Sequence, residues 1–248
     1  MDKPRQFRFT VPTLPDGRAV TAEEYEREVL KRLEEDSASR KQSLWDLSVL
    51  YGSTGRQEQS LECLKKLALL TDGPEERARC YLAIGAQRER VDDFEGAVSY
   101  YRAAFEMEPQ STDAWYWINN NLGYSLVQLG QCHEAEAYLH NAVAIDQTRP
   151  NAFKNLGLAS LGQNRLEAAI DYFVRATQAN ATDGRSLRHL EQLVRAHPEL
   201  LDKVPGLEGT VEDCRTAVRQ AAAVQPNVID HWKKLRKTQR GPWWAFWR

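Results

Sequence analysis

The residues that could do chemistry are few and scattered. The five histidines are His133, His140, His189, His197 and His231, and only Cys132-His133 with His140 form a local group. Offsets of seven and eight can share one helix face, but two or three such ligands do not close a zinc site. Acidic clusters stand at Glu34-Glu35-Asp36 and Asp92-Asp93. Their neighbours suit them to helix-end and turn charges rather than to paired acid–base work. No HExxH, nucleophile elbow, P-loop or GxGxxG occurs. The expectation is a chain without catalytic residue, cofactor or metal.

Composition sets the same limits. The 248 residues are 42% hydrophobic and 27% charged, with a net charge of -2. That is the make-up of an ordinary globular protein and not of a strongly basic nucleic-acid binder. The start, Met1-Asp2-Lys3-Pro4-Arg5, leads into no apolar leader, and no run of eighteen apolar residues follows. Cys63, Cys80, Cys132 and Cys214 are far apart and form no CxxC pair. They read as reduced, buried thiols of a cytoplasmic chain.

What organises the chain is a period. Asn121-Leu122-Gly123-Tyr124, Ala135, Leu139 and Ala142 superimpose without gaps on Asn155-Leu156-Gly157-Leu158, Ala169, Phe173 and Ala176, 34 residues on. An upstream copy has Tyr81, Ile84-Gly85, Ala97, Tyr101, Ala104 and Pro109. Gly85 to Gly123 is 38 residues, which predicts one extra helical turn placed within Ser111–Trp117. A worn first copy has Leu44, Leu47-Ser48, Tyr51, Gly55, Ser60, Leu64 and Leu67.

Each copy predicts two antiparallel helices. Small residues on both let the backbones approach, and the large residue that follows fills the layer between copies. Gly55 and Gly130 fall at the turn inside a copy. This pattern resembles the tetratricopeptide repeat. The resemblance implies an all-α, right-handed superhelix of about four repeats, at 37–72, 78–110, 112–148 and 150–182.

The flanks complete the expectation. Residues 1–20 read as an extended arm with alternation over Phe7–Val11, and 21–36 as a helix opened by the capping box Thr21–Glu24, with Tyr25, Val29 and Leu33 along one face. Residues 183–226 read as capping helices. One is capped by Asp183, and one runs from Thr210 to about Gln225. Residues 227–248 form a tail; from His231 onward it has six basic residues and no acidic one, so residues 231–248 carry +6 against -8 for the rest.

The resemblance also implies which positions face a binding groove. In this sequence they include Arg79, Arg90, Trp117, Asn120, Tyr124, Gln128, Asn151, Lys154, Arg185, Arg188 and Arg195. Six of them are basic, and Glu89 is the one acidic residue in the same frame. The set suits an acidic or carboxylate-ended partner segment, with the aromatics as apolar anchors and the amides gripping its backbone. A solvated basic face is the other reading. The carboxylate clamp of some family members is not expected, because Trp45 and Val49 stand at its first places.

The tail brings Trp232, Trp243, Trp244, Phe246 and Trp247 among its cations. It suits packing on the last helix, self-association or an anionic membrane surface, and less well nucleic acid. The function expected is non-catalytic protein–protein interaction, as an adaptor or assembly scaffold. The alternative is a peripheral membrane-associated factor held by the tail.

Overall fold

The computed structural model describes the backbone of residues 20–236 and the side chains of residues 20–223. Among the described residues there is no strand, and the helices form two compact units that meet in sequence at Asp146 and Gln147.

The first unit opens with α1 (Ala22–Glu35). Its cap is reciprocal: the Glu24 amide donates to Thr21 Oγ1 at 3.1 Å and the Thr21 amide to Glu24 Oε2 at 3.0 Å. Three helical hairpins follow. They are α2 (Arg40–Ser53) with α3 (Gln57–Leu70), α4 (Pro74–Glu89) with α5 (Phe94–Glu106), and α6 (Thr112–Gln128) with α7 (Cys132–Ile145). Val29 of α1 is fully buried and joins Leu44, Leu47 and Tyr51 of α2 in one core cluster. Burying a side chain of that size stabilises by about 1.5–3 kcal/mol. Around it, Arg56 of the following turn pairs with Glu26 at 2.8 Å, and Tyr51 Oη donates to Glu26 Oε1 at 2.8 Å.

The second unit holds α8 (Pro150–Gly162) and α9 (Leu166–Ala179), then α10 (Arg185–Ala196), the short α11 (Leu200–Lys203) and α12 (Leu207–Arg236). Phe173, Leu190, Leu193, Leu200, Val211 and Cys214 share its core.

The small residues act as the spacing predicts. A Cβ built on Gly157 would lie 2.5 Å from Phe173 Cε1, and one on Gly123 would lie 2.5 Å from Leu139 Cγ. Real Cβ contacts do not come that close, so the large residue of each second helix occupies the space that the glycine of the first leaves.

All four hairpin turns share one geometry. Gly55, Asp92, Gly130 and Asn164 have φ of +82°, +58°, +74° and +58°, each seven residues past the equivalent of the helix glycine. The next residue's amide then bonds five residues back, as in Arg56 to Tyr51 at 2.8 Å and Arg165 to Ser160 at 2.8 Å. This is the Schellman closure, which needs one left-handed residue. Two glycines were legible at this place and Asp92 was expected as a turn charge, as it is; its left-handed backbone and the place of Asn164 were not legible, although Asp and Asn tolerate the left-handed region better than other side chains do.

One expectation about the elements holds and three need revision. α6 has eleven residues before Gly123 where α8 has seven before Gly157, so the extra turn lies at the start of α6. However, α4 carries the same extension and begins at Pro74 instead of near 78, with Ala78 buried inside it. The cap of α10 is Gly184, while Asp183 accepts the Arg185 amide at 3.3 Å. The last helix begins at Leu207 and continues to Arg236, so it runs ten residues past the expected end of the capping region. Of the expected arm, only Val20 lies within the described residues.

Candidate functional site

The candidate faces lie on the first helices, two in each unit. In the first unit the relevant face belongs to α4 and α6. Trp117, Tyr124 and Gln128 recur at seven and four residues and so share a side of α6. Trp117 and Tyr124 are half-buried and Gln128 is exposed. The Trp117 ring meets Tyr116 edge-on at 5.2 Å, and Tyr124 meets Phe94 edge-on at 6.2 Å. Both aromatics are therefore held by packing while keeping part of their surface.

Asn120 does not sit on that face. It is 4% exposed, and its amide donates to Asn121 Oδ1 at 2.9 Å. α6 packs against α4, α5 and α7, so less of its circumference is open than a two-sided helix would leave. The amide that was to grip a partner belongs to the interior instead.

Arg79 is exposed and paired with Glu75 one turn earlier at 3.1 Å. Arg90 follows the end of α4 and is half-buried; its Nη1 donates to Gln87 Oε1 at 3.2 Å. Gly52 makes room for it, since a Cβ there would stand 3.2 Å from Arg90 Nη1. Burial lowers the Arg90 pKa, with Tyr101 and Glu89 acting against that shift.

Beside Arg90 lies a polar cluster that the sequence reading did not single out. Ser125 Oγ, fully buried on α6, donates to Glu89 Oε1 on α4 at 2.8 Å. The Tyr101 phenol of α5 stands next to the same carboxylate and next to Asn121. Burial first, and then the Glu89 charge, push that phenol well above its ordinary pKa. Asn121 and Ser125 lie one turn apart on α6, which was the available signal.

In the second unit the face belongs to α8 and α10. Asn151 and Lys154 are half-buried on α8. On α10, Leu187, Leu190 and Leu193 are buried, and Arg188, Gln192 and Arg195 are exposed at four- and three-residue steps on the opposite side. Arg185 is half-buried and bonds Asp183 through Nε at 2.9 Å. The one acid of α10, Glu191, accepts from Arg215 Nε of α12 at 2.6 Å.

The sequence period, the paired helices and the glycine-to-ring packing meet a direct comparison at this point. A family model described as tetratricopeptide repeat matches residues 120–184. Residues 120–184 carry tetratricopeptide repeats. The matched stretch contains the Gly123–Gly157 register and the whole of α7, α8 and α9. No curated protein sequence matches the chain.

Solved structures extend the fold beyond that segment. The chain is similar to BtubC from P. vanneervenii, with a TM-score of 0.60 at 14% identity over 89% of this chain and 92% of that one. It is similar to YrrB, titled a TPR protein with an unusual peptide-binding site, with 0.56 at 19% over 81% and 99%. MamA from Desulfovibrio magneticus RS-1 gives 0.53 at 18% over 75% and 96%. At these identities the likeness is one of fold alone: an all-α tetratricopeptide solenoid.

Among the described residues no group of three metal-ligating side chains is present, and no helix is long and apolar enough to cross a membrane. Of the tail positions, Trp232 falls within α12, in the stretch described by backbone alone. Trp243, Trp244, Phe246 and Trp247 lie outside the described residues.

Proposed function

We propose that the chain is a non-catalytic interaction module, an adaptor or assembly scaffold, that holds an acidic segment of a partner protein against its first-helix faces. The observation that carries the reading is α10, where exposed Arg188 and Arg195 flank Gln192 opposite a buried leucine stripe. Guanidinium groups offer paired donors to carboxylates. Lys154 of α8 adds a further cation within the same unit. In the other unit, half-buried Trp117 and Tyr124 supply aromatic surface of the kind that anchors partner segments. YrrB, a protein of similar fold, is titled as having a peptide-binding site, which supports peptide capture as the mode. A cytoplasmic setting fits the four buried, unpaired thiols.

Cross-linking of an acidic peptide to the full chain, followed by mass spectrometry, tests the reading. Cross-links on α8 and α10 support it. Cross-links confined to the second helices contradict it.

A second reading is contact with an anionic membrane surface through the tail. It is favoured by the run of α12 to Arg236, which sets Lys233, Lys234 and Arg236 on a helix. Co-sedimentation with anionic vesicles, comparing the full chain with one ending at Asp230, decides it. Equal sedimentation of the two contradicts this reading.

A further inference from the structure

The arginine side of α10 has a fixed rotation and a definite length, and both limit what can lie against it. Leu187, Leu190 and Leu193 sit in the core of the second unit, and Glu191 on the flank accepts from Arg215 Nε of α12 at 2.6 Å. The helix cannot turn about its axis without breaking that packing. At about 100° per residue, Arg188, Gln192 and Arg195 fall within about 60° of one another, on the side away from the leucines. All three are exposed. Among the described residues, no hydrogen bond or ion pair engages Gln192 or Arg195.

The two arginines are seven residues apart, which is about 10.5 Å along the helix. Two carboxylates that meet both must have that interval on one side of their own backbone. A β-strand repeats a side every two residues, so same-side groups stand about 7 or about 13 Å apart and miss the interval either way. A polyproline II segment repeats a side every three residues, so positions i and i+3 stand about 9.3 Å apart and match it. An α-helix with acids seven apart matches it too. Gln192, between the arginines, separates these two. Its carboxamide both donates and accepts. A polyproline II backbone leaves its own amides and carbonyls open to such a partner, whereas a helix spends them internally.

We infer that α10 takes a partner segment in the polyproline II conformation with two acidic residues three positions apart, its carboxylates on Arg188 and Arg195 and its intervening backbone on the Gln192 carboxamide. The inference rests on the acidic-segment reading above and narrows it to a spacing and a conformation. Each guanidinium offers a carboxylate two parallel donors. Proline at one of the two middle positions favours the conformation and leaves the other amide for Gln192.

Peptides of one composition test this on the full chain. Three proline-containing peptides place two glutamates two, three or four positions apart, and a helix-forming peptide places them seven apart. Affinities are read by fluorescence anisotropy at low salt. The expected result is binding several-fold tighter at spacing three than in the other peptides. The double variant Arg188→Gln, Arg195→Gln erases that preference, and Gln192→Ala weakens the spacing-three peptide several-fold, with helicity checked by circular dichroism. Equal, arginine-dependent binding at every spacing overturns the inference and leaves the acidic reading standing. Tightest binding of the helical peptide overturns the conformation assigned. Binding of no acidic peptide, or binding that the double variant keeps, overturns both the inference and the reading beneath it.

Discussion

Ser125 Oγ donates to Glu89 Oε1 at 2.8 Å, joining the first helix of one repeat to the first helix of the next. The hydroxyl is fully buried and the carboxylate half-buried, with the Tyr101 phenol beside it. A bond to a charged group at such a place contributes about 1.5–3 kcal/mol. Ser125→Ala should therefore lower unfolding free energy by about that amount, read from urea denaturation. A change within error would mean that water or another donor replaces the hydroxyl.

Gly157→Ala should destabilise by about 1–3 kcal/mol, because the new Cβ would meet the Phe173 ring at 2.5 Å. Phe173→Leu alone should destabilise by leaving space in the core. Combined, the two changes should cost less than the sum of each alone, since the smaller side chain relieves the clash. Simple additivity in a double-mutant cycle would contradict the close approach.

The turns give a prediction of the opposite sign. Asp92 and Asn164 hold φ of +58° where the equivalent positions are glycine. Asp92→Gly should raise stability by up to about 1 kcal/mol, and Gly130→Ala should lower it by about 1–2 kcal/mol. Thermal melts of the two variants check both signs.

These turns also show how far the sequence could be read. The register of Gly123, Gly157, Ala135 and Ala169 carried the fold, because close packing of two helices admits few residue types. Asp92 was expected at a turn, but its left-handed backbone and that of Asn164 escaped notice, because Asp and Asn serve in many other settings and only their place seven residues past the helix glycine marks them. The start of α4 was read a turn late because Pro74 and Glu75 extend a helix without adding a repeat position. The arginine side of α10 was legible from its leucines. The interior place of Asn120 was not, since it depends on how many neighbours α6 packs against. Glu89 appeared as a lone acid on a basic face, and only the fold brings Tyr101 and Ser125 to it.

Asp46 predicts a pH effect. It is 4% exposed and lies 3.5 Å from Arg32, yet burial raises its pKa above the ordinary carboxylate value, outweighing Gln42, Arg32 and Tyr25. A raised folded-state pKa means that the protonated acid favours folding. That contribution is full below the unfolded-state value and is lost as pH rises through the folded-state value. Asp46→Asn should therefore gain stability relative to the parent chain as pH rises above the ordinary aspartate value of about 3.9. A difference between the two that is flat with pH would contradict the shift.

The most direct test of the central claim is the affinity of the full chain for acidic, neutral and basic peptides, beside the double variant Arg188→Glu, Arg195→Glu. Both proteins are titrated at low and at moderate salt. The account predicts selective binding of acidic peptides that weakens with salt and is lost in the variant. Equal binding of acidic peptides by the two proteins, at both salt concentrations, would contradict it.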